Sequence, residues 1–325
     1  MRQSFIIIQF FLFTICYSND SVFKGNGETL KPVQATDVQM VSELIYITYT
    51  GDNFNVEVTA TFKNHGSETD LRIGFPFDVY YPGIEDDSLY DISKEYNPNF
   101  QVTADGILLQ SKPQFPGSSS EYNVVYLFNL HFDQNETIIL NHKYSVGGSN
   151  SSIGDWDFKY IMETGSLWYD NIESIAIVLE IPIENVTKFQ TVSPKEHAAF
   201  QQDDKIFLTW KFQNIKPTFN LELGGLPFVF NNQTVNEFFN TINEFLNPNE
   251  NGYMGYMGDE NKRYYKNLIF AIYGYPFKNP FVWNQFYNEN SCFNVSGKMN
   301  LKQNDNFKIE DIPKEYLELI DRLAK

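Results

Sequence analysis

The segment NVEVTATFKN, residues 55–64, alternates Val56, Val58, Ala60 and Phe62 with Glu57, Thr59, Thr61 and Lys63. Only a pleated strand puts all four apolar side chains on one face and the polar ones on the other. The pattern recurs along the first two thirds of the chain. SELIYITY, DLRIGFPF, YNVVYLFNLHF, TIILNHKY, IESIAIVLEIP and KIFLTWKF are short runs rich in β-branched and aromatic residues, separated by Gly, Asn, Asp and Pro. With about ten such segments and no helical period before residue 230, the sequence predicts a mainly β, two-sheet, sandwich-like domain over residues 19–231.

Beyond Asn231 the period lengthens. TVNEFFNTINEFL sets Val235, Phe238, Phe239, Ile242, Phe245 and Leu246 on one helical stripe, with Thr234 as N-cap and Glu237 completing a capping box. A linker, residues 247–258, ends that helix. A second helix starts at Asp259, carries Tyr264, Tyr265, Leu268, Ile269 and Ile272, and ends where Gly274 can take the left-handed conformation past the C-cap. Asn279 with Pro280 opens a short third helix, and Pro313 opens the last, PKEYLELIDRLAK. Residues 232–325 therefore predict a small all-α domain.

Charge divides the chain at the same place. Of 41 acidic and 24 basic residues, 29 and 13 fall in residues 19–231, but 12 and 10 in residues 232–325. A net charge of −17 keeps the chain soluble and repels polyanions, which excludes nucleic acid as a partner class. At the N-terminus, Arg2, the apolar run from Phe5 to Cys16 and the small Ser18 read as a signal peptide over residues 1–18. That run is too short to cross a bilayer. Cleavage after Ser18 starts the mature chain at Asn19, outside the cytoplasm, with no membrane insertion. It also removes Cys16 and leaves Cys292 alone, so no internal disulfide forms and stability must come from packing. A lipoprotein acylated at Cys16 is the other reading, opposed by the bulk of Ile15 just before it.

Catalytic motifs are absent from the sequence: there is no His-Glu-x-x-His helix, nucleophile elbow, phosphate loop or cysteine cluster, and no cofactor is predicted. His131 and His142 stand on consecutive strand segments, where a hairpin would face them across a surface. Glu85, Asp86, Asp87 and Asp91 offer oxygens without the turn glycine of a calcium loop. Asp155 and Asp157 flank Trp156, a pattern of paired carboxylates beside an aromatic platform for sugar. Cys292 has no neighbouring histidine to activate it, so it reads as an idle thiol.

The stretch NLIFAIYGYPF, residues 267–277, resembles the YARHG domain of exported bacterial proteins, with Phe270, Ala271, Ile272, Tyr273 and Gly274 in the five motif positions and Tyr275 and Phe277 following. Ala271 and Gly274 match, while Ile272 replaces the arginine, the one group of the motif able to grip an anion. Residues 30–225 are similar to an uncharacterised, β-rich family of exported bacterial domains through Met40, Glu43, Tyr160, Thr164, Gly165, Trp168 and Ile172. These resemblances imply an exported, β-rich protein and supply no function; with no catalytic motif in the sequence, the favoured reading is a cell-envelope or secreted protein that contacts a protein or a cell-wall polymer without catalysis. The alternative is a carbohydrate-active or other hydrolase working through Asp155 and Asp157. The aromatic motif itself reads as structural, with Phe270, Ala271, Phe277 and Trp283 buried against the final helix.

Overall fold

A computed structural model describes residues 20–24, 31–35, 37–51, 53–77, 98–115, 124–150, 156–225, 235, 237, 239–240, 259–289, 291–295 and 299–324. In chain order the strands are β1 (Ser21–Lys24), β2 (Lys31–Val33), β3 (Val38–Tyr49), β4 (Asn53–Asn64), β5 (Thr69–Phe77), β6 (Gln101–Ala104), β7 (Ile107–Leu108), β8 (Lys112–Gln114) and β9 (Val124–Phe132). They continue with β10 (Thr137–Gly147), β11 (Ser149–Asn150), β12 (Trp156–Tyr160), β13 (Ile172–Pro182), β14 (Thr191–Ser193), β15 (Ala198–Gln202), β16 (Lys205–Ile215) and β17 (Leu221–Gly225). The helices are α1 (Asp259–Ile272), α2 (Pro280–Tyr287), α3 (Cys292–Val295) and α4 (Lys314–Leu323). The chain is mainly β with a C-terminal helical segment, as its two periods predict.

Among the described residues three sheets form rather than two. The largest runs β15-β16-β13-β3-β4-β10-β6-β7, a second runs β2-β1-β5-β9-β8, and a third runs β11-β12-β17-β14. Both smaller sheets lie on the same face of the large one. Phe75 and Phe77 of β5 meet Tyr144 of β10 at 5.2 and 5.3 Å between ring centroids. Phe158 of β12 stacks on Phe54 of β4 at 4.2 Å. The sandwich is thus retained, with its second layer split in two.

In β4 the alternation of Val56, Val58, Ala60 and Phe62 is fully expressed, each being buried. In β3 a register shift between Met40 and Ser42 reverses the inward parity. Val38 and Met40 face the core before it; Glu43, Ile45, Ile47 and Tyr49 do so after it. The shift therefore delivers a carboxylate to the interior and leaves Leu44 exposed. β13 joins β3 in parallel register, Ser174 opposite Ser42 through Glu180 opposite Thr48, inside ladders that are otherwise antiparallel.

The helical segment packs on the β layers. α2 lies against the 3-10 turn Ile183–Lys188 and against β15, while α1 touches β14 and α4. Gln285 Nε2 donates to Phe189 O across this junction. Leu268, Phe281, Phe286 and Leu319 belong to the same hydrophobic cluster as Trp210 and Leu223 of the strands. The expected boundary at Asn231 lies outside the described residues, as does most of the predicted helix that follows it. Val235, Glu237, Phe239 and Asn240 carry helical backbone. Phe239 is buried and stacks on Tyr316 of α4 at 3.6 Å.

Candidate functional site

The residues of the aromatic motif build the end of α1. Gly274 has φ +81°, its N–H donates to Ala271 O at 3.0 Å, and Tyr275 N donates to Phe270 O at 3.0 Å. That pair of bonds is the Schellman termination, and the Phe270 and Tyr275 rings, 5.3 Å apart, supply its usual apolar contact. Gly274 O accepts from Asn304 N at 2.8 Å, and a Cβ at Gly274 would stand 2.7 Å from that of Asn304. Glycine is needed both for backbone angle and for space.

Ala271 is completely buried, whereas Phe270, Ile272, Tyr273 and Phe277 are half-buried and Tyr275 is 39% exposed. Tyr273 faces Tyr316 at 6.1 Å, and burial, followed by Tyr316 and Glu315, pushes its phenol up to about 12. Phe277 lies 5.9 Å from both Phe286 and Tyr287. Tyr287 Oη donates to Tyr275 O at 2.8 Å and to Ala271 O at 3.3 Å, which ties α2 to the end of α1. Of the four residues expected against the last helix, only Ala271 is closed to solvent. Trp283 instead lies beside Tyr287 and donates through Nε1 to Gln303 Oε1 at 2.9 Å.

The histidines separate. His131, on β9, is exposed among Asp70, Asp133 and Glu68, which raise its pKa, the Asp70 hydrogen bond foremost. His142, on β10, is wholly buried in a different sheet, so the two do not face each other across a hairpin. Its Nε2 lies 2.7 Å from Asp20 Oδ2, and its ring is 5.3 Å from that of Phe75 and 5.5 Å from that of Phe100. Nearby, Trp168 Nε1 donates to Asp20 O at 3.0 Å. Tyr160 Oη donates to Glu43 Oε1 at 2.8 Å, and burial first, then Glu43, drives that phenol well above its ordinary value. This polar cluster is sealed from solvent and reads as architecture.

Asp155 and the acidic run from Glu85 to Asp91 lie outside the described residues. Asp157 sits on β12 opposite Gly224. Trp156 packs edge-on against Phe189 at 5.1 Å and beside Phe54 at 5.7 Å, so its ring walls the core. Among the described residues no three histidine, cysteine, aspartate or glutamate side chains gather to hold a metal ion.

An open concavity among the described residues lies where α2 meets the β layers. It encloses about 560 Å³ and is lined by Ile183, Glu184, Asp204, Trp283, Tyr287, Asn288 and Glu289. Asn279 positions α2, its side-chain oxygen accepting from Phe281 N at 2.9 Å, with Pro280 in the first turn. Four-residue spacing then sets Trp283 and Tyr287 on one helix face. On the β side, Ile183 N donates to Asp204 O at 2.9 Å, which closes the turn that carries both Glu184 and Asp204 to the rim. Neither Glu184 nor Glu289 has an ion-pair or hydrogen-bond partner among the described residues. Lys205, beside Asp204, is committed to Glu180 at 2.5 Å. The sequence gives no local sign of this cleft except the Trp283/Tyr287 spacing.

No family model matches the chain, and no curated protein matches it. Solved structures similar to it include a Legionella pneumophila protein given the provisional name nutrient binding protein, at 20% identity and a TM-score of 0.48, covering 94% of this chain and 98% of that one. An M1 zinc metallopeptidase from Deinococcus radiodurans is similar at 10% identity and a TM-score of 0.33, covering 76% of this chain and 56% of its own. Leukotriene A4 hydrolase from Saccharomyces cerevisiae follows at 11% identity and a TM-score of 0.33, covering 58% of this chain and 29% of its own. No described helix is long and apolar enough to cross a membrane.

Proposed function

We propose that the protein is an exported, non-catalytic binding protein of the cell envelope or the extracellular space, and that its ligand site is the cleft between α2 and the β layers. The observation that carries the reading is that cleft: a concave space of about 560 Å³ at the junction of two structural layers, walled by aromatic rings and rimmed by polar groups. Export rests on Arg2, the apolar run to Cys16 and Ser18, with cleavage before Asn19. The YARHG-like stretch Phe270–Gly274 serves this site indirectly, since the α1 terminus it forms accepts the Tyr287 hydroxyl and so holds α2 in place.

Two measurements test the proposal. N-terminal sequencing of the protein recovered outside the cytoplasm should begin at Asn19; an acylated Cys16 would redirect the reading to a lipoprotein. A thermal-shift screen of the mature protein against amino acids, amines, sugars and short peptides should find stabilising compounds whose effect disappears in Glu289→Arg. Equal responses from the variant and the parent would remove the cleft from the function.

A further inference from the structure

The geometry points to a ligand class: we propose that the cleft binds an organic ammonium ion with a small apolar body. The inference rests on the cleft being the binding site and adds the sign and shape of what enters it.

Three independent features agree. Trp283 and Tyr287 pack edge to face, with centroids 6.1 Å apart at 69°; Tyr287 is buried and backs the wall, while the half-buried Trp283 ring supplies the π surface a cation can reach. The Tyr287 hydroxyl is held by the backbone carbonyls of Tyr275 and Ala271, so it is not offered to a ligand. Second, the cleft lies at the C-terminal end of α2; its last carbonyls accept from Ser291 and Asn294, but no basic residue in the last turn adds positive charge there. Third, the rim carries Glu184, Asp204 and Glu289 with no Lys, Arg or His among the lining residues. A bare metal ion would leave the Trp283 ring unused. An anion would meet the helix end, the ring face and the carboxylates with the wrong sign. A neutral apolar ligand would cover the ring but gain nothing from the rim.

The test is calorimetric titration of the mature protein with choline and with its uncharged isostere 3,3-dimethyl-1-butanol, with calcium as a third titrant. Choline should bind, and the isostere should bind at least about tenfold more weakly, since charge and cation–π attraction distinguish them. Trp283→Leu should weaken choline by about five- to thirtyfold, the range of a partly desolvated cation–π contact, and Glu289→Gln should weaken it by less. Equal binding of choline and the isostere would overturn the proposed ligand class while leaving the cleft a binding site. Calcium binding with no response to choline would overturn it in favour of a metal site. Silence from both organic probes, together with a failed compound screen, would overturn the ligand class and the cleft together. Circular dichroism melting of each variant separates lost binding from lost fold, and the solvent-facing Glu289→Gln keeps the test open if Trp283→Leu does not fold.

Discussion

His142 Nε2 stands 2.7 Å from Asp20 Oδ2, and both side chains are sealed from water although 122 residues separate them. Asp20 leads into β1, and His142 projects from the inner face of β10, so the contact fastens the start of β1 to the large sheet. Removing one partner of such a pair strands the other in the interior. Asp20→Ala should therefore cost about 1 to 3 kcal/mol, the range for a buried polar group left unsatisfied, read as a lower denaturation midpoint in urea. Combining it with His142→Phe should recover part of that loss, because the imidazole is no longer left without its partner and Phe fits among the rings of Phe75 and Phe100. Additive losses in the double variant would show that the two residues act independently.

Gly274 makes a second stability prediction. Its φ of +81° and the 2.7 Å approach of Asn304 Cβ are separate obstacles to a side chain. Gly274→Val should lower stability by about 1 to 2 kcal/mol from backbone strain alone, with the steric term added. Gly274→Asn tolerates the left-handed backbone but still meets Asn304, so it should lie between the parent and the valine variant. Equal stability of all three in chemical denaturation would refute the capping role.

His197 supplies a pH dependence. Its ring is 5.3 Å from that of Trp210 on β16 and 6.2 Å from that of Phe281 on α2, at the junction between strands and helices. Burial first, and Arg263 second, lower its pKa below 6.5. The unfolded chain then binds the proton more readily than the folded one between the two values. His197 thus contributes stability that is present above pH 6.5 and is lost as pH falls toward the folded value. Between about pH 7.5 and pH 5, the melting temperature of the parent should fall further than that of His197→Phe. Parallel curves would show that this histidine does not respond.

Tyr46 and Glu180 offer a spectroscopic check on the outer face of the large sheet. Tyr46 Oη donates to Glu180 Oε2 at 2.5 Å, and burial first, then this carboxylate, pushes the phenol up to about 12. Burial would raise the Glu180 carboxyl, but Lys205 and Tyr46 together bring it below its ordinary value. In Glu180→Gln the Tyr46 phenol loses a negative neighbour, so ultraviolet titration should show one tyrosine ionising at lower pH than in the parent. An unchanged alkaline titration would mean that burial alone sets the value.

The strands were legible because one-sided burial writes a period of two into the chain, as Val56, Val58, Ala60 and Phe62 show. The ends of α1 and α2 were legible because Gly274 and Asn279 act on their own local backbone. The third sheet was not, since nothing near Trp156 or Leu221 states that β12 pairs with β17. The parallel match of β13 to β3 and the parity reversal after Met40 are likewise settled by packing between distant segments. The same reason hides the cleft. Trp283 and Tyr287 announce a helix face, but Glu184 and Asp204 reach it from the β region about 80 to 100 residues earlier, through tertiary folding alone.

Recognition beside Trp283 is open to direct measurement, because the chain has four tryptophans. Trp168 and Trp210 are buried and Trp156 walls the core, so Trp283 alone lines the cleft. Fluorine NMR of the protein labelled with 5-fluorotryptophan, with resonances assigned by single Trp→Phe variants, should show the Trp283 signal moving progressively on addition of any compound that stabilises the protein, while the other three hold still. A stabilising compound that shifts Trp156, Trp168 or Trp210 and leaves Trp283 unmoved would place recognition outside the cleft.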